Sequence, residues 1–321
     1  MKKTAVWLII AAILIVIGLL GGAIVMACAN WHFNLLSTEK YQTVTHDVTD
    51  SFDKIFIYGD TEDITFLGSS DGDCRVECYE NKKLPHSVSV EDGALIIKLN
   101  DTRKWYEKIT LMSFSSPKIT VYLPVREYSL LKIESDTGDI SLPKNRFFDK
   151  IDITLSTGDI NCLSYANEII MTSSTGNITL ENSLVKNAYV KTSTGDISLI
   201  SVGAEGNISL GVSTGRTTLT DVTCKKLTSK GSTGDITLTC TFASESFNIE
   251  RDTGDVKFED CDAAEIYVVT DTGDVKGNFL MDKIFITKTD TGRVRVPSST
   301  TGGRCEITTD TGNIIIDVTK E

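Results

Sequence analysis

From Leu131 to the C-terminus, apolar and polar residues alternate in a pattern that returns every 18 to 20 residues. A Ser/Asp-Thr-Gly-Asp/Asn/Arg block anchors each return, with glycines at Gly138, Gly158, Gly176, Gly195, Gly215, Gly234, Gly254, Gly273, Gly292 and Gly312. Two residues after glycine the column reads Ile140, Ile160, Ile178, Ile197, Thr217, Ile236, Val256, Val275, Val294 and Ile314. Four residues after, it reads Leu142, Cys162, Leu180, Leu199, Leu219, Leu238, Phe258, Gly277, Val296 and Ile316. Seven and five residues before glycine two more apolar columns appear, broken in the second by Ser229 and Thr287. Period-two alternation of β-branched and apolar side chains predicts a short strand with one buried face on each side of every Thr-Gly corner.

A unit of about 19 residues is too short to fold alone and too regular to be linker. A propeller blade needs roughly 40 residues and four strands, so the unit fits one coil of a β-solenoid better. The predicted fold is therefore all-β: about ten regular coils, each a single strand pair, stacked about 4.8 Å apart so that strands pair between coils. Glycine suits a corner that needs positive φ and close backbone approach, and the preceding Thr hydroxyl can bond local backbone or a neighbouring Thr. Before Gly292, Ile284 and Ile286 fall out of phase with Phe285, which predicts a bulge.

A degenerate coil lies upstream, with Glu62 at the glycine position and Ile55, Ile57, Ile64 and Phe66 in the apolar columns. Beyond it Cys74–Cys78, Ser87–Val90 and Leu95–Leu99 read as strands, with Glu91-Asp92-Gly93 a hairpin turn. This stretch reads as a β-rich cap over the open end of the stack. Lys82, Lys83, Arg103, Lys104, Trp105 and Tyr106 within it form either a basic-aromatic patch or a solvated rim.

At the N-terminus Lys2 and Lys3 precede an uncharged run from Ala5 to Cys28. At about 1.5 Å per residue such a run covers roughly 36 Å, against a bilayer core of about 30 Å. It predicts one uncleaved transmembrane helix, the lysines on the cytoplasmic side and Trp31 and Phe33 at the outer interface. A competing reading takes Val25-Met26-Ala27-Cys28 as a lipoprotein box with Cys28 lipidated. Four segments follow: anchor 1–30, stalk 31–50, atypical coil and cap 51–130, and regular repeats 131–321. The repeats would lie outside the cell.

Charge and cysteine content refine this picture. With 32 Lys and Arg against 44 Asp and Glu, the net charge of −12 argues against nucleic acid as a partner. The eight cysteines do not form a disulfide framework: Cys162, Cys240 and Cys305 fall on inward positions, and buried free thiols are the simpler reading. Cys240 and Cys261, at similar offsets in consecutive coils, are the pair to suspect of a bridge.

Catalytic motifs are absent. Asp-Thr-Gly at Asp136, Asp252, Asp271, Asp290 and Asp310 is one variant of a corner and not a protease pair. His32, His46 and His86 show no zinc spacing, and there is no phosphate loop or nucleophile elbow. One row of residues carries chemistry: Asp139, Asp159, Asn177, Asp196, Arg216, Asp235, Asp255, Asp274, Arg293 and Asn313 follow the glycines. Stacked carboxylates repel, so either corner backbone donates to each or a cation such as Ca²⁺ sits between rows, densest at Asp252, Asp255, Asp271 and Asp274.

A membrane helix followed by reiterated Ser-Thr-Gly-Asp-Ile, as at Ser156 to Ile160 and Ser193 to Ile197, resembles the bacterial "putative adhesin" domain-of-unknown-function family of β-strand-repeat surface proteins. The resemblance runs from about Phe52 to the C-terminus. It implies a β-solenoid ectodomain on the cell membrane, mostly in Gram-positive bacteria, and transfers no catalytic or binding residue. The leading functional expectation is a noncatalytic anchored scaffold that meets an extended glycan or a surface protein. Two alternatives are an envelope-stress sensor acting through a membrane signalling partner, and a polysaccharide-acting enzyme.

Overall fold

The computed structural model describes residues 3–28, 41–70, 72–101 and 117–319. Helix α1 covers Lys3–Cys28. Its described side chains from Ile10 to Ile24 are all exposed. Among the described residues no helix is long and apolar enough to cross a membrane. The remaining described elements are all β-strands. Trp31, Phe33 and the segment Arg103–Tyr106 lie outside the described residues.

The chain is a parallel β-solenoid whose inward columns are those of the sequence pattern. Ile151, Ile153, Ile160 and Cys162 of one coil are each fully buried, as are Ile169, Met171 and Leu180 of the next or nearly so. Strands before the corner form one ladder: β8 (Glu127–Thr137), β10 (Phe147–Thr157), β12 (Tyr165–Thr175) and the second half of β13 (Ile178–Thr194) pair in parallel without a register shift. Strands after the corner form a second ladder: β9 (Ile140–Leu142), β11 (Ile160–Cys162) and the first half of β13.

The middle coils contain a third, narrow face. From β13 onward the strand after the corner does not end but kinks and runs on, so β16 (Thr217–Thr233), β17 (Ile236–Thr253) and β18 (Val256–Thr272) each serve two ladders. The kink falls at Asn182, Ser201, Asp221, Cys240 and Asp260, all at positive φ between 47° and 54°. Asn and Asp tolerate this left-handed conformation better than other non-glycine residues, which explains their use there. Ser183–Val185 then pair with Val202–Ala204 of β14 (Ile197–Ala204), giving the coil a three-sided outline. Cys240 occupies the kink and is half-buried, so it leaves the inward alternation expected of it. The cysteines of the β-structure, Cys74 to Cys305, are free, Cys240 and Cys261 included.

At both ends the stacking order departs from the chain order. Strand β18 pairs not with β20 (Lys283–Thr291) but with β22 (Gly303–Thr311), and β20 pairs on the far side of β22. Likewise β19 (Val275–Phe279) pairs with β23 (Ile314–Val318), which in turn pairs with β21 (Val294–Arg295). The last coil in the sequence is thus inserted beneath the one before it. The bulge expected before Gly292 is absent: β20 and β22 keep one register from Lys283↔Gly303 to Thr291↔Thr311. Ile284 and Ile286 simply face outward, at 41% and 47% exposure, and Val294, inward by its column, is 45% exposed because no coil covers it.

The N-terminal end repeats this device. Strands β2 (Lys54–Tyr58) and β3 (Asp63–Gly68) form the degenerate coil, with Ile55, Ile57, Ile64 and Phe66 fully buried or nearly so. They stack on β8 and β9 on one side and on β6 (Ala94–Leu99) and β7 (Lys118–Leu123) on the other. Antiparallel strands then close the edge: β5 (His86–Glu91) against β6, and β4 (Cys74–Asn81) against β7. The β5–β6 turn has Asp92 and Gly93 at positive φ, the two-residue hairpin expected there. Residues 41–48, assigned to a stalk by their weak patterning, are instead strand β1 (Tyr41–Val48) lying antiparallel on β4.

Candidate functional site

The corner row is a hydrogen-bonded ladder. The backbone N–H following each corner glycine donates to the side-chain oxygen of the equivalent residue one coil below: Asp159 to Asp139 (2.9 Å), Asn177 to Asp159 (2.7 Å), Asp196 to Asn177 (2.9 Å) and Arg216 to Asp196 (2.7 Å). It resumes above Arg216, with Asp255 on Asp235, Asp274 on Asp255, Asn313 on Asp274 and Arg293 on Asn313. A carboxylate that accepts a backbone N–H is stabilised in its charged form, which offsets repulsion along the row. Asp274, which accepts from Asn313 and then from Lys276, is held below the ordinary carboxylate range for that reason. Of the four residues of the cation reading, Asp255 and Asp274 thus have one oxygen engaged in the ladder. Asp252 and Asp271 stand exposed beside them, two residues before their glycines.

The Thr before each glycine contributes its carbonyl, not its hydroxyl. Gly176 N–H donates to Thr194 O at 2.8 Å, and Gly195 N–H to Thr214 O at 2.9 Å. The hydroxyl that ties coils together sits two residues earlier, where Thr192 Oγ1 donates to Gly176 O at 3.0 Å.

Recesses on two outer faces of the solenoid stand out among the described residues. The first lies on the face before the corner, where the register sets Lys191, Gly211, Lys230 and Glu250 side by side. Gly211 has no side chain, so the row dips into a recess of about 410 Å³. Tyr189, 42% exposed, walls one side, while Ser209, Ser213, Thr228 and Ser232 supply hydroxyls. Glu250 Oε2 is held by Lys230 Nζ at 2.7 Å, so this carboxylate is paired. The second recess is an apolar furrow along the narrow third face. Small residues such as Gly203, Ala204, Ala243 and Ala263 line it beside Leu184, Phe242 and Met281, which are 67%, 37% and 66% exposed.

The sequence reading missed a buried polar cluster at the N-terminal cap. Cys78, Glu80 and His86 place a ligand-type atom each within 4.8 Å of one another. Glu62, the residue standing in for a corner glycine, reaches the far side of the same histidine. The visible signals were that substitution and the spacing Cys78-x-Glu80 with His86 across a turn, neither of which matches a zinc motif.

The fold and its surface define a long parallel β-solenoid with recessed outer faces and a ladder of hydrogen-bonded corner carboxylates. The chain belongs to the Toastrack DUF4097 family, whose pattern matches residues 52–316. No curated protein matches it. Among solved structures it is similar to a "putative adhesin" from Parabacteroides distasonis, at 13% identity, covering 75% of this chain and 98% of that one, with a TM-score of 0.51. A "putative adhesin" from Parabacteroides merdae aligns at 13% identity over 76% of this chain and 98% of that one, with a TM-score of 0.49. A "putative lipid binding protein" from P. distasonis aligns at 16% identity over 76% and 98%, with a TM-score of 0.48. At these identities the first likeness speaks to the fold alone, and the other two add nothing to it.

Proposed function

We propose that this chain is a noncatalytic, membrane-anchored module of a bacterial cell surface that binds an extended glycan in the recess at Gly211. The recess carries the reading. A glycine dip in a row of long side chains makes a slot open at both ends, which suits a polymer better than a compact metabolite. The Tyr189 ring offers an apolar face to a sugar, and the surrounding hydroxyls, Lys191 and Lys230 can hydrogen-bond its polar edges. Anchoring is supported by the uncharged run Ala5–Cys28 and by the exposure of every described apolar side chain of α1 from Ile10 to Ile24, since a helix apolar on all sides needs a nonaqueous surrounding. Lys2 and Lys3 support a cytoplasmic N-terminus with the solenoid outside the cell.

The test is binding of the detergent-purified full chain to purified cell-wall glycans and to intact cells. Saturable glycan binding is expected, weakened at least about tenfold by Tyr189→Ala, the cost of one aromatic anchor, and unchanged by Phe242→Ser in the furrow. Binding that survives both Tyr189→Ala and Lys230→Ala would remove the recess from the account. Absence of any glycan binding would overturn the glycan reading itself.

A further inference from the structure

The cluster at the N-terminal cap has the composition and layout of a transition-metal site with three protein ligands. Cys78 and Glu80 lie two apart on β4 and so share its inward face, and the β4–β5 connection brings His86 back over them. His86 Nδ1 is 2.8 Å from Glu80 Oε2, and the two side chains are 1% and 4% exposed. Its other nitrogen, Nε2, faces Glu62 Oε1 at 3.3 Å, with the Glu62 side chain 1% exposed. Glu62 is itself fixed: Oε2 accepts the backbone N–H groups of Asp60 at 2.6 Å and Thr61 at 3.1 Å. A carboxylate that orients one ring nitrogen so that the other can bind metal is the usual support for a ligating histidine. The geometry points to a Zn²⁺ site in which Cys78 Sγ, Glu80 Oε2 and His86 Nδ1 are three ligands, a solvent molecule is the fourth, and Glu62 positions the imidazole.

A thiolate, an imidazole and a carboxylate form a mixed sulfur, nitrogen and oxygen set that suits zinc and disfavours calcium or magnesium. Such a site would clamp the β4–β5 connection onto the degenerate coil, where glutamate has replaced the corner glycine.

Co²⁺ titration of the reduced full chain in detergent tests this, with Zn²⁺ competition. One Co²⁺ per chain is expected, with tetrahedral ligand-field bands and a thiolate-to-cobalt charge-transfer band, both erased by Zn²⁺. Cys78→Ser, a near-isosteric change that preserves the fold, is expected to abolish the charge-transfer band, and Glu62→Gln to weaken affinity about 10- to 100-fold while keeping the bands. Charge transfer that persists in Cys78→Ser assigns the metal to other cysteines and overturns the proposal. So does a folded wild-type chain that takes up no Co²⁺ or Zn²⁺.

Discussion

Replacing Gly195 by alanine should cost this protein more than any exposed substitution, for reasons set by the contact between successive corners. Gly195 has φ of +135°, and a Cβ built there would lie 2.6 Å from the carbonyl carbon of Gly176 and closer still to its oxygen. Two costs add. A side chain at that φ, in a region that is nearly glycine-only, costs about 1–3 kcal/mol. Relieving the overlap then requires the two coils to part at the corner, which strains Gly176 N–H to Thr194 O (2.8 Å) and Asp196 N–H to Asn177 Oδ1 (2.9 Å), each worth about 1 kcal/mol. Together they predict a loss of about 3–5 kcal/mol for Gly195→Ala. The assay is urea denaturation followed by circular dichroism, with amide exchange at the corners showing where the chain opens. Ser193→Ala, two residues away and exposed, is the control and should stay within about 0.5 kcal/mol of wild type. A loss below about 1 kcal/mol for Gly195→Ala would refute the argument that the corner is sterically closed to any side chain.

Other consequences can be measured separately. Because β22 lies between β18 and β20, the pair Val269→Cys and Thr308→Cys should oxidise to a disulfide, while Val269→Cys with Lys288→Cys, two coils apart, should not; the reverse result would restore the chain order. Cys240 sits at φ of 47° in the kink column otherwise held by Asn, Ser and Asp, so Cys240→Asn should raise stability by about 0.5–1 kcal/mol, read as an upward shift in melting temperature. Since the corner carboxylates already accept backbone N–H groups, added calcium should leave the melting temperature unchanged; a rise lost in Asp252→Asn with Asp271→Asn would instead place a cation between the rows.

Much of the coil was legible because the columns report burial directly. The column two after glycine became an inward one at every coil but the end coil of Val294, and the polar interruptions of the columns have a structural reason. Thr217 and Ser229 interrupt apolar columns because Arg251 is buried above them, with Nη2 donating to Thr217 Oγ1 at 3.1 Å and Ser229 Oγ at 2.9 Å. Gly231 makes room, since a Cβ there would lie 2.8 Å from Arg251 Nη1. Burial lowers the Arg251 pKa to about 10, which still leaves it charged at neutral pH. The group was hidden from a column reading because its members belong to different columns and only stacking brings them together. The third face was hidden too, because one left-handed residue per coil turns the chain without interrupting the alternation. The buried cluster at the cap escaped for a related reason: Glu62 is 24 residues from His86, and irregular coils have no period to align them.

Stacking order is the property that the repeat itself conceals. Every regular coil presents nearly the same inward columns and the same corner, so a coil can stack on any other without altering which residues are buried. What differs is the end of the ladder. A corner residue that accepts the next coil's N–H must be Asp or Asn, and Asn313 fills that role although it belongs to the last coil in the chain. Arg293 cannot accept, and it sits in the coil with no further coil above it. Arginine alone does not mark an end, because Arg216 breaks the ladder in mid-stack, where Gly215 N–H to Thr233 O at 2.9 Å and Thr217 N–H to Asp235 O at 2.9 Å still hold the coils together. The distinguishing feature is the combination in one coil of a non-accepting corner, a polar Thr287 in an apolar column and apolar Ile284 and Ile286 facing outward. None of these alone requires an end, since Arg216 and Ser229 are accommodated in mid-stack, but their combination suits the coil that ends the rod even though the chain continues past it.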